Sequence, residues 1–443
     1  MYLFPKRDRI LPCYVNNHQR RCYPQMSRDT LEQTFDVVIV GGCGHVGLPL
    51  GLSLANKGLR VCLCDVDGKR ATLVKKGVMP FIEYDADPIL KKVLKNGMIH
   101  VSTDLQLVSQ AHYVIIAVGT PVDAYLNPET RAFLQVIADL KQYLREDQTL
   151  IVRSSVYPHT CEQMLNVLGR DKKWRIAYCP ERIVQGYAMR ELVQLPQIVA
   201  GLTPEAFKDS AKLFSILSPK IIKTSVGEAE LVKLFTNAWR YIQFAITNQF
   251  YMIAQNFGID YDRVRQAMVD GYDRTATLPT AGFAAGPCLL KDTMQLSAFC
   301  GNEFILGHAA MMINEGLPNF IVKEISKRCD LSKAKVGILG MAFKADIDDI
   351  RDSLSFKLGK ILRFKGSKVY YSDEYAENPD FVSKEELLRC CDAVIVGVPH
   401  SAYKGLVIPS HMEVIDLWGV TKRKDVEIPV EHMMGITSKP SQA

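Results

Sequence analysis

At 443 residues the chain exceeds what one ordinary hydrophobic core supports, so two or three domains are expected. Hydrophobic residues make up 48% and charged residues 23%, the balance of a soluble globular protein. A formal charge of +6 without a long basic run, and no apolar stretch near the ~18 residues of a membrane span, argue against nucleic acid and membrane partners and leave room for an anionic small molecule.

Residues 1–34 read as an N-terminal arm. Its first 25 residues hold Arg7, Arg9, Arg20 and Arg21 but no continuous apolar run, so no signal peptide is expected. The stretch is a disordered arm, a weak transit-like segment or translated sequence upstream of Met26. Order is predicted from residue 35. Asp36-Val37-Val38-Ile39-Val40 is a continuous apolar strand of the kind buried in parallel sheets. Glycines follow, then helical spacing over 48–57, then a second strand over 60–64 that finishes at Asp65. Later strands over 113–118, 149–152 and 175–178 run into Gly119-Thr120-Pro121, Arg153-Ser154-Ser155 and Cys179-Pro180-Glu181. Polar groups just past strand ends sit where open α/β sheets bind ligands.

Between Gly227 and Gly258 the chain has no proline or glycine and many apolar residues, which predicts one helix of roughly 30 residues, about 45 Å long. Ser225 and Glu228 supply a Ser-x-x-Glu capping box. So long a helix, apolar over much of its surface, bridges domains or pairs with another subunit. The segment from Gly282 to Asp292, Gly-Phe-Ala-Ala-Gly-Pro-Cys-Leu-Leu-Lys-Asp, then places Cys288 after small residues and before Lys291 and Asp292. Small residues let backbone approach a ligand, and a thiol beside a cation and a carboxylate suits nucleophilic chemistry. A core cysteine in a turn has the same composition.

After Leu331 the first pattern returns, with a strand over 334–339, a helix over 354–364, a strand over 368–372 ending on Asp373, and the apolar run 392–399. The predicted fold is α/β: two Rossmann-like doubly wound parallel-sheet domains joined by a long central helix and a helical middle domain. The boundaries are 35–223, 224–328 and 329–430, with 431–443 a tail. The 12 cysteines show no Cys-x-x-Cys or paired metal spacing, which argues for free thiols in a reducing, cytoplasmic compartment and against a metal site.

Gly42-x-Gly44-x-x-Gly47 is a dinucleotide fingerprint in its proper place between strand and helix. The first glycine permits the tight turn, the second lets backbone reach the pyrophosphate, and the third packs helix on strand. The amides of His45, Val46 and the following helix turn face the phosphates. Asp65, 18 residues beyond Gly47, is placed to accept the ribose hydroxyls and would repel a 2′-phosphate, so NAD is expected; nearby Arg70 weakens that preference.

Six dispersed motifs in one order then resemble the UDP-glucose/GDP-mannose dehydrogenase family, from about residue 36 to residue 420. They are Val118-Gly119-Thr120-Pro121-Val122, Arg153-Ser154-Ser155-Val156-Tyr157-Pro158, Cys179-Pro180-Glu181-Arg182-Ile183, the helix segment from Ala229 through Lys233 to Asn237, Gly286-Pro287-Cys288-Leu289-Leu290-Lys291-Asp292, and Ala342-Phe343-Lys344 leading to Asp349-Ile350-Arg351-Asp352-Ser353. The resemblance implies an NAD-dependent four-electron oxidation of the C6 alcohol of a UDP-sugar to a uronic acid for polysaccharide synthesis. Cys288 would be the nucleophile, through a thiohemiacetal and a thioester. Lys233 and Asn237, four apart on one helix face, would orient the sugar oxygen and stabilise its charge. Asp292 would activate water, and Glu181 would serve as acid/base. Thr120, Ser155, Lys291 and Arg351 would join the glycine loop in holding NAD. Gly282 and Phe283 would lie against the nucleotide sugar with Lys344, and Arg274 would reach a neighbouring subunit's site in a homodimer or larger oligomer.

Three departures from the family pattern matter. Ser155 stands where many members have threonine, and Gln185 where a second glutamate is common. Asp416-Leu417-Trp418-Gly419 replaces an Asp-x-Arg pattern and removes one substrate cation. Pro180-Glu181-Arg182 leans toward UDP-N-acetylhexosamines, whereas Cys288-Leu289-Leu290-Lys291-Asp292 leans toward UDP-glucose. A two-electron alcohol dehydrogenase and an inactive nucleotide-binding protein are the alternatives.

Overall fold

A computed structural model of the chain describes residues 34–123 and 126–423. The arm expected over 1–34, all but its last residue, and the tail expected over 431–443 lie outside the described residues.

The first sheet contains β1 (Phe35–Val40), β2 (Val61–Cys64), β3 (Ile99–Ser102), β4 (Ala111–Ile116), β5 (Thr149–Val152), β6 (Arg175–Tyr178), β7 (Gln197–Gly201) and β8 (Ile221–Lys223). Their order is β3-β2-β1-β4-β5-β6-β7-β8, and every neighbouring pair is parallel except β6 with β7. The order reverses between β1 and β4, the switch point at which doubly wound sheets open a crevice for a dinucleotide. Alternate residues face opposite layers: Val37, Ile39 and Leu63 pack into one core, Val38, Val40, Cys62 and Cys64 into the other. Both faces are covered, which is why these strands read as unbroken apolar runs.

The second sheet joins β9 (Lys335–Leu339), β10 (Lys368–Ser372), β11 (Ala393–Val396) and β13 (Glu413–Asp416) in the order β10-β9-β11-β13, all parallel; β12 (Val407–Ile408) pairs with β14 (Lys422–Arg423) beside it. The two halves use one device at their first turn. Asp65, just past β2, accepts Cys43 N–H at 2.8 Å, and Asp373, just past β10, accepts Met341 N–H at 2.6 Å.

Between the sheets runs the helix Val226–Asn256, 31 residues long, which we call the spine. The capping box forms as expected, Ser225 Oγ accepting Glu228 N–H at 3.3 Å and Glu228 Oε2 accepting Ser225 N–H at 2.7 Å. Val226 and Ala229 enter the core that holds Val38 and Val40 of the first sheet, while Tyr251 and Ala254 enter a second core, that of the second sheet, with Val336 and Ile338. The spine therefore registers one half against the other. Helices Leu289–Phe299 and Ile305–Ser326 pack along its side. The short strands β3, β7, β8, β12, β13 and β14, and the antiparallel pairing of β7, are not among the elements expected from the sequence.

Candidate active site

The glycine loop follows β1, and each glycine meets a different constraint. A Cβ on Gly42 would lie 2.7 Å from Leu63 Cα, and one on Gly47 would lie 2.3 Å from the Gly41 carbonyl. These two are demanded by the fold itself. A Cβ on Gly44 meets only Gly41 O at 3.5 Å, an ordinary contact, so this glycine leaves its backbone open to a ligand rather than to the protein. The amides that open the helix Gly47–Asn56 point along the same loop, and no acidic side chain occupies its first turn. Asp65 holds Cys43 N–H and Asp67 N–H and, as a carboxylate with further lone pairs, can still accept ribose hydroxyls. Arg70 pairs with Asp67 at 3.5 Å, which offsets its charge beside the ribose position. The residues present fit a dinucleotide of the NAD type.

His45 behaves differently from a phosphate-facing side chain. Its ring lies 3.9 Å from that of Phe81, and burial, reinforced by Arg351, pushes its pKa down to about 4. The imidazole is neutral. Its Nε2 stands 3.7 Å from Asp349, so the contact is not an ion pair despite the carboxylate's nearness.

The thiol opens the helix Leu289–Phe299, with Cys288 at its N-cap position. Its side chain is accessible to solvent, yet protein crowds round the sulfur. That crowding raises the thiol pKa, the Asp292 charge adds to the rise, and Lys233, Lys291 and Arg351 oppose it. The thiol is thus recessed and mostly protonated at rest, yet open to solvent.

Around it the expected cluster assembles. Asn237 Nδ2 donates to Asp292 Oδ2 at 2.5 Å, and both side chains are buried. Asp292 Oδ1 has no hydrogen-bond partner and meets only the Lys291 ammonium, at 3.3 Å. Lys291 Nζ in turn donates to Thr120 Oγ1 at 3.1 Å and Thr120 O at 3.2 Å, and Thr120 Oγ1 donates to Ser155 O at 2.6 Å. The Ser155 departure thus costs nothing here, because it is the backbone carbonyl that Thr120 uses. Lys233, half-buried one turn before Asn237, adds its charge to the same field. The loops after β4 and β5 are tied through one lysine to the helix that carries the thiol.

Other expected members are elsewhere. Glu181 is committed to Arg153, Oε2 accepting the guanidinium at 2.6 Å while Oε1 accepts the Arg182 and Ile183 amides at 2.7 and 3.1 Å. Both side chains are buried, and Arg153 also donates to Gln197 and to the Cys179 carbonyl. Arg274 is exposed, its guanidinium 5.7 Å from the Tyr272 ring centroid, and is not brought to this chain's thiol. Phe283 is buried in the second core with Ala281, Leu317 and Ile321, so its side chain serves packing rather than a ligand. Gly282, at φ +151°, is clamped from both sides: Asn248 accepts its N–H at 2.8 Å and donates to its carbonyl at 3.0 Å. A Cβ there would fall 1.8 Å from the Trp418 ring. Lys344 donates to Gln185 O at 3.0 Å, lies over the Tyr187 ring at 4.8 Å, and has its pKa lowered by burial.

Sequence reasoning missed Arg153, Asn248 and Asp349 as site residues. Register could have found the first: β5 pairs with β6 so that Val152 faces Tyr178, which sets Arg153 beside Cys179-Pro180-Glu181. Nothing local could have found the Asn248 clamp.

With this geometry in place, comparison with known proteins is direct. The NAD binding domain of the UDP-glucose/GDP-mannose dehydrogenase family matches residues 36–217, its central domain 227–315 and its UDP binding domain 337–423. A UDP-N-acetyl-D-mannosamine dehydrogenase of Methanocaldococcus jannaschii is 28% identical over 83% of this chain and 86% of its own. That of Pyrococcus horikoshii is 28% identical over 83% and 90%. Among solved structures, the UDP-D-ManNAc dehydrogenase of P. horikoshii superposes with a TM-score of 0.78 at 25% identity, over 88% of this chain and 98% of that one. A UDP-glucose dehydrogenase of Pyrobaculum islandicum shares the fold at 0.79 and 23%, over 90% and 96%. The chain belongs to the UDP-glucose/GDP-mannose dehydrogenase family.

Proposed function

We propose that the chain is an NAD-dependent dehydrogenase that oxidises the C6 alcohol of a UDP-sugar to the carboxylate through a covalent step on Cys288. The observation that carries this reading is a solvent-accessible thiol within electrostatic reach of Lys233, Lys291 and Asp292, the last held by Asn237. Bound NAD supplies the oxidising power, one molecule accepting each of two hydrides. In the first oxidation, Lys233 and Asn237 hold the sugar oxygen as its proton leaves, stabilising the charge it develops. The Cys288 sulfur then adds to the aldehyde carbon, forming the C–S bond of a thiohemiacetal and keeping the aldehyde from escaping. Loss of the second hydride from that carbon, together with the hydroxyl proton, leaves a thioester. Water, oriented by Asp292 Oδ1, adds to the thioester carbon, the C–S bond breaks, and the thiol is returned with the acid.

Glu181, already bonded by Arg153 and two amides, acts in this reading as the framework of the loop behind β6. Proton transfer falls to Lys233 and Asp292. Glu181→Gln separates the two roles: a framework residue lowers stability and activity together, whereas an acid/base residue would lose activity by several hundredfold with the melting temperature little changed.

The relatives named for UDP-N-acetyl-D-mannosamine, together with Pro180-Glu181-Arg182, favour an N-acetylhexosamine over glucose as the sugar. The deciding assay offers UDP-glucose, UDP-N-acetylglucosamine and UDP-N-acetylmannosamine and counts NADH per sugar. Two NADH per sugar with one of them, and no acid from Cys288→Ser, is expected. One NADH per sugar, with Cys288→Ala unimpaired, would return the reading to a two-electron dehydrogenase.

A homodimer fits the exposed apolar stripe Phe235, Trp239, Ile246, Phe250, Ile253 and Phe257 along the spine, a face wide enough to pair with a second copy. Arg274 would then serve the partner's site. Light scattering of Phe250→Glu tests it. No helix among the described residues is long and apolar enough to cross a membrane, and the free thiols there fit a reducing, cytoplasmic setting.

A further inference from the structure

Asp349 stands where three parts of the molecule meet. It is buried, and its Oδ2 accepts Arg351 Nη2 at 2.6 Å and Gln185 Nε2 at 3.1 Å while lying 3.7 Å from His45 Nε2. Its Oδ1 accepts the Arg351 backbone N–H at 3.0 Å and Nε at 2.9 Å. Arg351 belongs to the stretch after β9, Gln185 to the loop after β6, and His45 to the glycine loop after β1. Three more contacts run along the same seam: Asp348 Oδ1 accepts Ile82 N–H at 3.1 Å, Tyr84 Oη donates to Asp346 O at 2.8 Å, and Lys344 Nζ donates to Gln185 O at 3.0 Å.

The arrangement differs from a plain structural ion pair in three ways. The Arg351 side chain is 52% exposed although its anchor, Asp349, is 6% exposed, so the guanidinium extends from a buried base toward open space. There its charge reaches both Cys288 and His45. His45 carries a buried Nδ1 with no partner, and its Nε2 is just beyond hydrogen-bond distance of Asp349, so a shift of about 1 Å would close that bond. Gln185, on the first domain, donates its amide to Asp349, a neutral partner that can stay bonded when the cation is drawn away.

We propose that Asp349 is a positioning residue that couples occupancy of the dinucleotide loop to binding at the UDP half. The proposal rests on the reading of the chain as an NAD-dependent UDP-sugar enzyme. A pyrophosphate on the glycine loop competes with Asp349 for the exposed Arg351. Arg351 and Lys344 lie on one short stretch, 344–351, so drawing the first toward the loop carries the second. Asp349, relieved of one cation, takes the His45 N–H and keeps Gln185, which holds the stretch against the first domain. Dinucleotide binding thereby selects the placement of Lys344 that the second ligand needs, and by linkage the effect runs equally in both directions.

The test uses the full chain, with UDP and NADH as a non-reacting pair of probes. Titration calorimetry gives the UDP dissociation constant with and without saturating NADH. The unaltered protein is expected to bind UDP about tenfold more tightly with NADH present. In Asp349→Asn, UDP alone should bind within about twofold of the unaltered protein while the NADH effect shrinks below about twofold. Gln185→Met, which removes only the amide donor, should reduce the effect too and serves if Asp349→Asn fails to fold. Full coupling in both variants, or none in the unaltered protein, overturns the proposal. A protein that binds neither probe sinks the functional reading itself, which is a different result.

Discussion

Asn237 and Asp292 lie 55 positions apart and meet at 2.5 Å, an amide donating to a carboxylate inside the protein. Asp292 is fully buried, and the bond partners one of its carboxylate oxygens while the other has no hydrogen bond and meets the Lys291 ammonium at 3.3 Å. Asn237→Ala removes the donor from a buried charge and should cost about 1–3 kcal/mol of stability. Asp292→Asn should be milder for the fold and harsher for turnover, completing both oxidations but leaving the thioester unhydrolysed. Denaturant melts and mass spectrometry of the trapped adduct measure the two effects, and equal losses of stability and turnover in both variants would contradict them.

The thiol makes a second prediction. Crowding and Asp292 hold its pKa above the usual thiol value against the pull of Lys233 and Lys291. The iodoacetamide rate plotted against pH should therefore rise with a midpoint above that of a free cysteine. Asp292→Asn should move the midpoint down and Lys233→Met should move it up. A midpoint below the free-thiol value in the ligand-free protein is the result that would sink this account.

Gly44 and Gly47 should fail for opposite reasons. Gly47→Ala drives a methyl to 2.3 Å from a carbonyl oxygen and should destabilise the fold by about 1–3 kcal/mol. Gly44→Ala finds room, so the melting temperature should hold while NAD binding weakens tenfold or more. Thermal melts beside NADH fluorescence titrations separate them.

Glu83 gives a pH-dependent prediction. Burial raises its pKa to about 7 although the Gly186 amide, donating to Oε2 at 3.0 Å, favours the ionised form. A carboxyl whose pKa rises on folding contributes fully below its unfolded value near 4.5 and loses that contribution as pH climbs through 7. The swing is about 3 kcal/mol. Glu83→Gln should match or trail the unaltered protein in urea at pH 4.5 and exceed it at pH 8. A variant less stable at both pH values would refute the sign.

Much of this is legible in the sequence alone. Strand, glycine turn and terminal acid are local signals, and both halves obeyed them because a doubly wound sheet buries its strands on both faces. Lys233 and Asn237 shared a face because one turn of helix separates them. What stayed hidden depends on distant partners. Arg153 fills the space beside Glu181 only through the pairing of β5 with β6. Trp418 takes up the side of Gly282 from more than a hundred residues away, and no spacing rule announces that contact.

The spine has a property that follows from its continuity. Asn237, which serves the carboxylate at the thiol, and Asn248, which clamps Gly282, are eleven residues apart on one uninterrupted helix, about three full turns. They share an azimuth, and no loop stands between them to absorb a change of length. A single residue inserted there would rotate one amide by about 100° against the other, leaving each half folded and the pair out of phase. The helix is thus a phase standard for the enzyme: drift in length is tolerable in the connections around it and forbidden over these eleven positions.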